Sequence, residues 1–340
     1  MGLFSFLFGR QPAGTSDSSY VSMYSGTGGR PLTRARLIFL SKFKGARIIN
    51  PDSFKYLETD LGAAPSRVIT EFVSGGLIEP ASISDKVMNS FSAPQLKEML
   101  RSRGLPISGT KAVAVEKLFQ SDSAGMAVVV ADVVAYICTD KGRALVDQFK
   151  AAEAARYQVA CQKALAQLRD GDIPGAVDAV IESSEEPVGV NPIAIVLSRE
   201  DKIRLTKLIF NCRPKLLTGL TADDWKLAHV AAAMAFLFGS RSAKHWLPDT
   251  FGFNSNLDPD VAVRMIWFAA KSLWDLERMR EIGVRTVRVS GCGSSSCPQC
   301  QAISGKKLPI ATAVELPYEH CTCELGCRCV YVMGDFKFDG

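Results

Sequence analysis

Seven cysteines and one histidine crowd the C-terminal end of this 340-residue chain. They read Cys292, then Cys297-Pro298-Gln299-Cys300, then His320-Cys321-Thr322-Cys323-Glu324-Leu325-Gly326-Cys327-Arg328-Cys329. Two thiolates separated by two residues on a tight turn can reach one tetrahedral ion at about 2.3 Å each, and a second pair farther along can complete it. Cys297 and Cys300 are the anchoring pair. Cys321 and Cys327 are the expected completing ligands, with His320, Cys323 and Cys329 as alternatives, because Cys327 and Cys329 would face the same side of an extended strand. Zinc is the expected ion. One is expected, although eight donors suffice numerically for two. A closed four-ligand site leaves no open position for chemistry, so its role is expected to be structural. In a long chain whose apolar start does not read as a secretory signal, thiols or metal ligands are expected rather than a disulfide framework.

A second constellation lies between residues 88 and 120. Ser92 and Gln95 have the capping-box spacing, which predicts a helix start, and Leu96, Met99 and Leu100 give that helix its apolar face. Lys97, Arg101 and Arg103 then fall on the solvent side. Gly104 supplies a left-handed stop, and Leu105-Pro106 redirects the chain. A second helix is expected after Ser108-Gly109-Thr110-Lys111, with Ala112, Val115, Leu118 and Phe119 buried. Its first turn offers free backbone N–H groups at the positive end of the helix dipole, beside the full charge of Lys111. Five cations (Lys97, Arg101, Arg103, Lys111 and Lys117) face two acids, Glu98 and Glu116, in this stretch. Ser108, Gly109, Thr110 and Lys111, with Lys97, Arg101 and Arg103, are therefore the expected contacts to a phosphate backbone. A set of base-reading side chains is lacking, so weakly sequence-specific, salt-sensitive binding is expected.

The order from Leu96 to Ala112, above all Gly104-Leu105-Pro106-x-Ser108-Gly109-x-Lys111, resembles the SAP domain, a small helix-loop-helix DNA-binding module. The resemblance covers Met88 to Gln120. It departs at Ala114, where the family usually has Leu, and at Lys117, where it often has Arg. The tail, with its Cys-Pro-x-Cys, Gly305-Lys306, Leu316-Pro317 and Gly326-Cys327-Arg328-Cys329, is similar to the cysteine-rich ending of Mu-type phage head-morphogenesis proteins and of many uncharacterised bacterial proteins. Cys321 and Cys323 depart from the phage form.

The elements that must position these groups are mostly helical. Apolar residues make up 47% and charged residues 22% of the chain, which excludes wholesale disorder and fibrous classes. A net charge of +5 is too small to announce a polyanion ligand by itself, but residues 1–50 hold seven basic side chains against one acid, Asp17. The expected order is a flexible basic arm over 1–50, with Arg30 to Arg47 reinforcing DNA contact, and then a helical module over 51–123 that contains the SAP-like domain. A larger helical bundle over 124–285 and a small zinc-stabilised strand-and-loop unit over 286–340 complete it. Asp258 and Pro259 predict a helix whose face is Val261, Met265, Phe268, Ser272, Leu276 and Met279, and Gly283 ends it. Val284 to Val289 alternate as a strand does. The longest apolar run, 124–138, is too short for a membrane span. These readings point to a cytoplasmic, mainly α protein that is not an enzyme: a DNA-binding adaptor or scaffold with a structural zinc site, whose helical bundle could meet a protein partner. The alternative expectation is a phage or mobile-element assembly protein that uses the same modules for protein contacts.

Overall fold

The computed structural model describes residues 32–50, 53–183, 197–239, 243–248, 251, 257–291 and 293–334. Twelve helices and six short strands among them make the chain mainly helical, as expected. It divides into two units, residues 1–155 with 186–195, and residues 156–185 with 196–340.

In the first unit, α1 (Arg34–Ser41) begins at Thr33, whose hydroxyl accepts the Arg36 N–H at 3.3 Å. Leu37, Phe39, Leu40 and Phe43 are fully buried. The Phe39 ring meets Phe43 edge-on at 5.3 Å and Phe54 at 5.1 Å. Residues 32–50 are thus folded, where a flexible arm was expected. Basic side chains dominate the local charge, but the apolar run Leu37-Ile38-Phe39-Leu40 buries enough surface to offset the entropy of ordering. Three of the five cations of this stretch are ion-paired, Arg34 with Glu153 at 3.0 Å, Arg36 with Glu71 at 2.7 Å and Lys44 with Asp147 at 2.6 Å, and Lys42 and Arg47 lie over the Phe54 ring. The rest of the expected arm, including Arg10 and Arg30, lies outside the described residues.

β1 (Arg47–Ile48), α2 (Glu58–Leu61), α3 (Pro65–Ser74), β2 (Ile78–Pro80), α4 (Ile83–Ser90), α5 (Ala93–Ser102), α6 (Lys111–Val129), β3 (Ala135–Cys138) and α7 (Asp140–Arg169) follow. β3 lies between β1 and β2 and is antiparallel to both, with Ile48 opposite Ala135 and Ile78 opposite Cys138. This strand interrupts a stretch expected to be helical almost throughout. It is only four residues long, and its burial, inside at Ala135 and Cys138 and partial at Tyr136 and Ile137, shows no period-two alternation to read. Helix α6 crosses the expected 123/124 boundary, and the division between the two units falls within α7.

The second unit holds α8 (Ile173–Ser183), α9 (Arg199–Asn211), α10 (Ala222–Leu237), α11 (Pro259–Glu281), β4 (Thr286–Ser290), α12 (Pro298–Ile303), β5 (Lys307–Pro309) and β6 (Val330–Met333). Asp258 caps α11 as expected, accepting the Asp260 N–H at 2.9 Å, with Pro259 in the first turn. Val261, Met265, Ser272, Leu276 and Met279 are buried and Phe268 is half-buried. Ile266, Ala269 and Ala270 are buried too, because α11 packs on α9, α10 and β6 and so covers more than one face. β4 runs between β5 and β6, antiparallel to both, and its Val287 and Val289 point into the core while Thr286, Arg288 and Ser290 stay half-exposed. No helix among the described residues is long and apolar enough to cross a membrane.

Candidate nucleic-acid interface and metal centre

The helix-loop-helix forms as its capping signals dictate. Gln95 Oε1 accepts the Ser92 N–H at 2.8 Å, closing the start of α5. Gly104 adopts φ +65°, and the Leu105 N–H returns to Leu100 O at 2.9 Å. Leu96, Leu100, Val115, Leu118 and Ala114 join Val87 of α4 and Met126 in one small core. Ala112, expected inside, is exposed, and Ala114 is buried in its place. Beyond the module, α6 kinks at Asp122 (φ −154°, ψ 66°), whose carboxylate accepts the Gly125 N–H at 2.8 Å and caps the second segment.

The loop between the helices is open to solvent. Ser108, Gly109 and Thr110 are exposed, and Thr110 Oγ1 accepts the Val113 N–H at 3.4 Å. The N–H groups of Lys111 and Ala112, in the first turn of α6, have no acceptor within the helix. Gly109 needs its φ of +116°, and a Cβ there would come within 2.9 Å of Val113 Cγ1.

The five cations are not equivalent. Lys97 and Lys111 have no ion-pair partner among the described residues. Arg101 pairs with Glu98 at 2.8 Å on an exposed face. Arg103, expected to be available to solvent, is half-buried and pinned: Nε and Nη2 donate to Asp122 Oδ2 at 3.1 and 2.9 Å, and Nη1 donates to Met99 O at 3.2 Å. Those bonds, led by Arg103 and followed by the Gly125 N–H, hold the Asp122 carboxyl below the ordinary aspartate range. Lys117 Nζ donates to Pro106 O at 3.1 Å and Ser108 O at 2.8 Å, so this residue staples the loop to α6.

At the other constellation, Cys297 occupies the N-cap position of α12 with Pro298 directly after it, which turns the Cys-Pro-x-Cys segment so that Cys300 comes round beside Cys297. Two groups of sulfurs result. Cys297, Cys300, Cys321 and Cys323 lie with their Sγ atoms within 4.8 Å of one another, and Cys300, Cys327 and Cys329 do the same. Cys323 therefore completes the first group, where Cys327 was expected. The alternation argument applied to Cys327 and Cys329 holds equally for Cys321 and Cys323, whose two-residue spacing delivers both sulfurs to one side. His320 lies outside both groups, with its side chain mostly exposed beside Glu319, and Cys292 lies outside the described residues. None of the nine described cysteines is in a disulfide.

The surroundings suit thiolates. Backbone N–H groups point at sulfur: Cys297 at Cys323 Sγ (3.3 Å), Thr322 at Cys297 Sγ (3.4 Å), Cys323 at Cys321 Sγ (3.5 Å) and Tyr318 at Cys327 Sγ (3.3 Å). Burial of Cys297 is outweighed by the N–H groups of Cys300 and Thr322, and its thiol is drawn down to about 5. Burial pushes the Cys300 thiol up to about 12. A tetrahedral zinc with 2.3 Å bonds needs sulfurs roughly 3.8 Å apart, and Cys297 and Cys321 stand 3.9 Å apart. The donor set thus fits a thiolate-loving ion such as zinc. α11 supports the cysteine loop from below, with Arg264 donating to Leu325 O at 2.8 Å and Met265 and Val261 packed so close to Gly326 that a Cβ there would come within 3.0 Å of both.

The remaining histidines belong to neither group of sulfurs. His229 is buried, its Nε2 2.7 Å from Cys212 O and its ring stacked on Trp225, and burial lowers its pKa. His245 is exposed beside Trp246. No curated protein and no solved structure matches the chain. The SAP domain family model matches residues 87–118, the same helix-loop-helix that presents the open loop.

Proposed function

We propose that the chain is a DNA-associated adaptor. Its SAP-like module docks a phosphate strand at the Ser108–Lys111 mouth, and a thiolate-bound metal, with zinc the expected ion, stiffens the C-terminal strands. The carrying observation is the exposure of Ser108, Gly109 and Thr110 at that mouth, where Lys111 opens α6 and, among the described residues, no acid is bonded to Lys111 or to Lys97 of α5. An anion there meets amide N–H groups, the helix dipole and a full positive charge together. The proposed contacts are Lys97, Arg101, Ser108, Gly109, Thr110 and Lys111. Arg103 has a different part, because its guanidinium is already engaged with Asp122 and Met99. Binding rather than catalysis is the proposed role of both sites.

Fluorescence anisotropy of a labelled DNA duplex with the full chain tests the reading. Binding at low salt that weakens on adding salt and on Lys111→Glu supports it. If the folded protein shows no binding at low salt, the module is a protein-contact element, and the alternative of an assembly protein of phage or mobile-element type takes precedence.

A further inference from the structure

The four-sulfur and three-sulfur groups share one member, Cys300. It is 1% exposed, and Cys327 and Cys329 beside it are 0% and 1% exposed. A single tetrahedral ion in the first group leaves these last two thiols buried against a sulfur that is already a ligand. The environment of Cys327 differs from that of an ordinary core thiol. Cys138, in the core of the first unit, donates its S–H to Leu40 O at 3.5 Å, as a protonated thiol does. Cys327 instead accepts the Tyr318 N–H at 3.3 Å, the same amide-to-sulfur contact that Cys297 and Cys323 receive in the four-sulfur group. An amide aimed at sulfur stabilises the charged form.

We propose that these six cysteines hold two divalent ions with the Cys300 sulfur as a bridge. One ion is closed by Cys297, Cys300, Cys321 and Cys323, and the other is held by Cys300, Cys327 and Cys329 with water in its fourth position. Binding two M²⁺ ions to six thiols releases six protons and leaves a cluster of charge −2, with no oxidant or reductant involved. A thiolate sulfur has lone pairs enough for both ions, and soft divalent ions of the zinc and cadmium type suit an all-sulfur set. The inference rests on the metal reading of the proposed function and extends it from one ion to two.

The test uses the full reduced chain, stripped of metal and titrated with isotopically enriched cadmium without oxygen. Native mass spectrometry counts the ions, and cadmium NMR reads their connection. Two equivalents are expected, with two resonances of equal area split by coupling through the shared sulfur. Cys327→Ser with Cys329→Ser is expected to halve the stoichiometry and leave one unsplit resonance. Saturation of the wild-type chain at one equivalent overturns the bridge and leaves the single-ion reading standing, whereas no bound cadmium removes both. Two resonances without mutual splitting also overturn the bridge. Because the count and the coupling are read on the wild-type chain, the proposal stays testable even if the double variant fails to fold.

Discussion

Of the five cations in the SAP-like module, the structure separates those free to meet a phosphate from those already committed, and salt dependence reads that separation directly. Each phosphate neutralised on B-DNA contributes roughly −0.9 to the slope of log K against log salt. Lys97 and Lys111 have no ion-pair partner to leave among the described residues, so Lys97→Gln and Lys111→Gln should each flatten the slope by about 0.9. Raising salt from about 50 to 200 mM would then cost each variant roughly three- to fourfold less affinity than it costs the wild-type chain. Arg103 presents three N–H groups to Asp122 and Met99 O, and Lys117 is tied to Pro106 O and Ser108 O. Arg103→Gln should therefore leave the slope unchanged and lower the thermal midpoint instead. The assay is anisotropy of a labelled duplex over that salt range, with the melting of each variant followed by circular dichroism. Using slope differences cancels any constant contribution from basic residues elsewhere in the chain. A slope that flattens with Arg103→Gln and not with Lys111→Gln would refute the assignment of free and committed charges.

Further outcomes follow from the same geometry. The Asp122 carboxyl is held low first by Arg103 and then by the Gly125 N–H, so its contribution to stability is complete above the ordinary aspartate pKa and is lost as pH falls through the lower folded value. Acid melting of Asp122→Asn should lack that component while the wild-type chain shows it. Gly109→Ala forces a side chain into φ +116° and against Val113, and should cost about 1–2 kcal/mol in a denaturant titration while weakening duplex binding at the mouth. Leu100 is fully buried in the module core, and Leu100→Ala should cost about 2–5 kcal/mol by the same measurement. Stripping metal with a chelator should loosen the β5-β4-β6 sheet, seen as lost amide protection there, and lowering the pH should weaken metal binding because protons compete for every sulfur.

Features that depend on residues within a turn of one another were legible from the chain alone. The Ser92–Gln95 box, the left-handed Gly104, the Asp258-Pro259 start and the Cys-Pro-x-Cys knuckle are all local, because each couples a side chain to backbone a few bonds away. The alternation that buries Val287 and Val289 was equally readable, since it follows from strand geometry.

Partners distant in sequence were not legible. Arg103 could be counted as a cation, but Asp122 reaches it only because α6 continues past the module and kinks there. Arg34 and Glu153, likewise, meet across more than a hundred residues. Sequence composition dictated a helical chain with an amide-lined turn and a sulfur-rich end. Packing alone decided which charges remain free, that residues 32–50 fold around Phe39, and that Cys323 rather than Cys327 stands with Cys297 and Cys321, because each outcome depends on side chains that only a closed tertiary structure brings within reach.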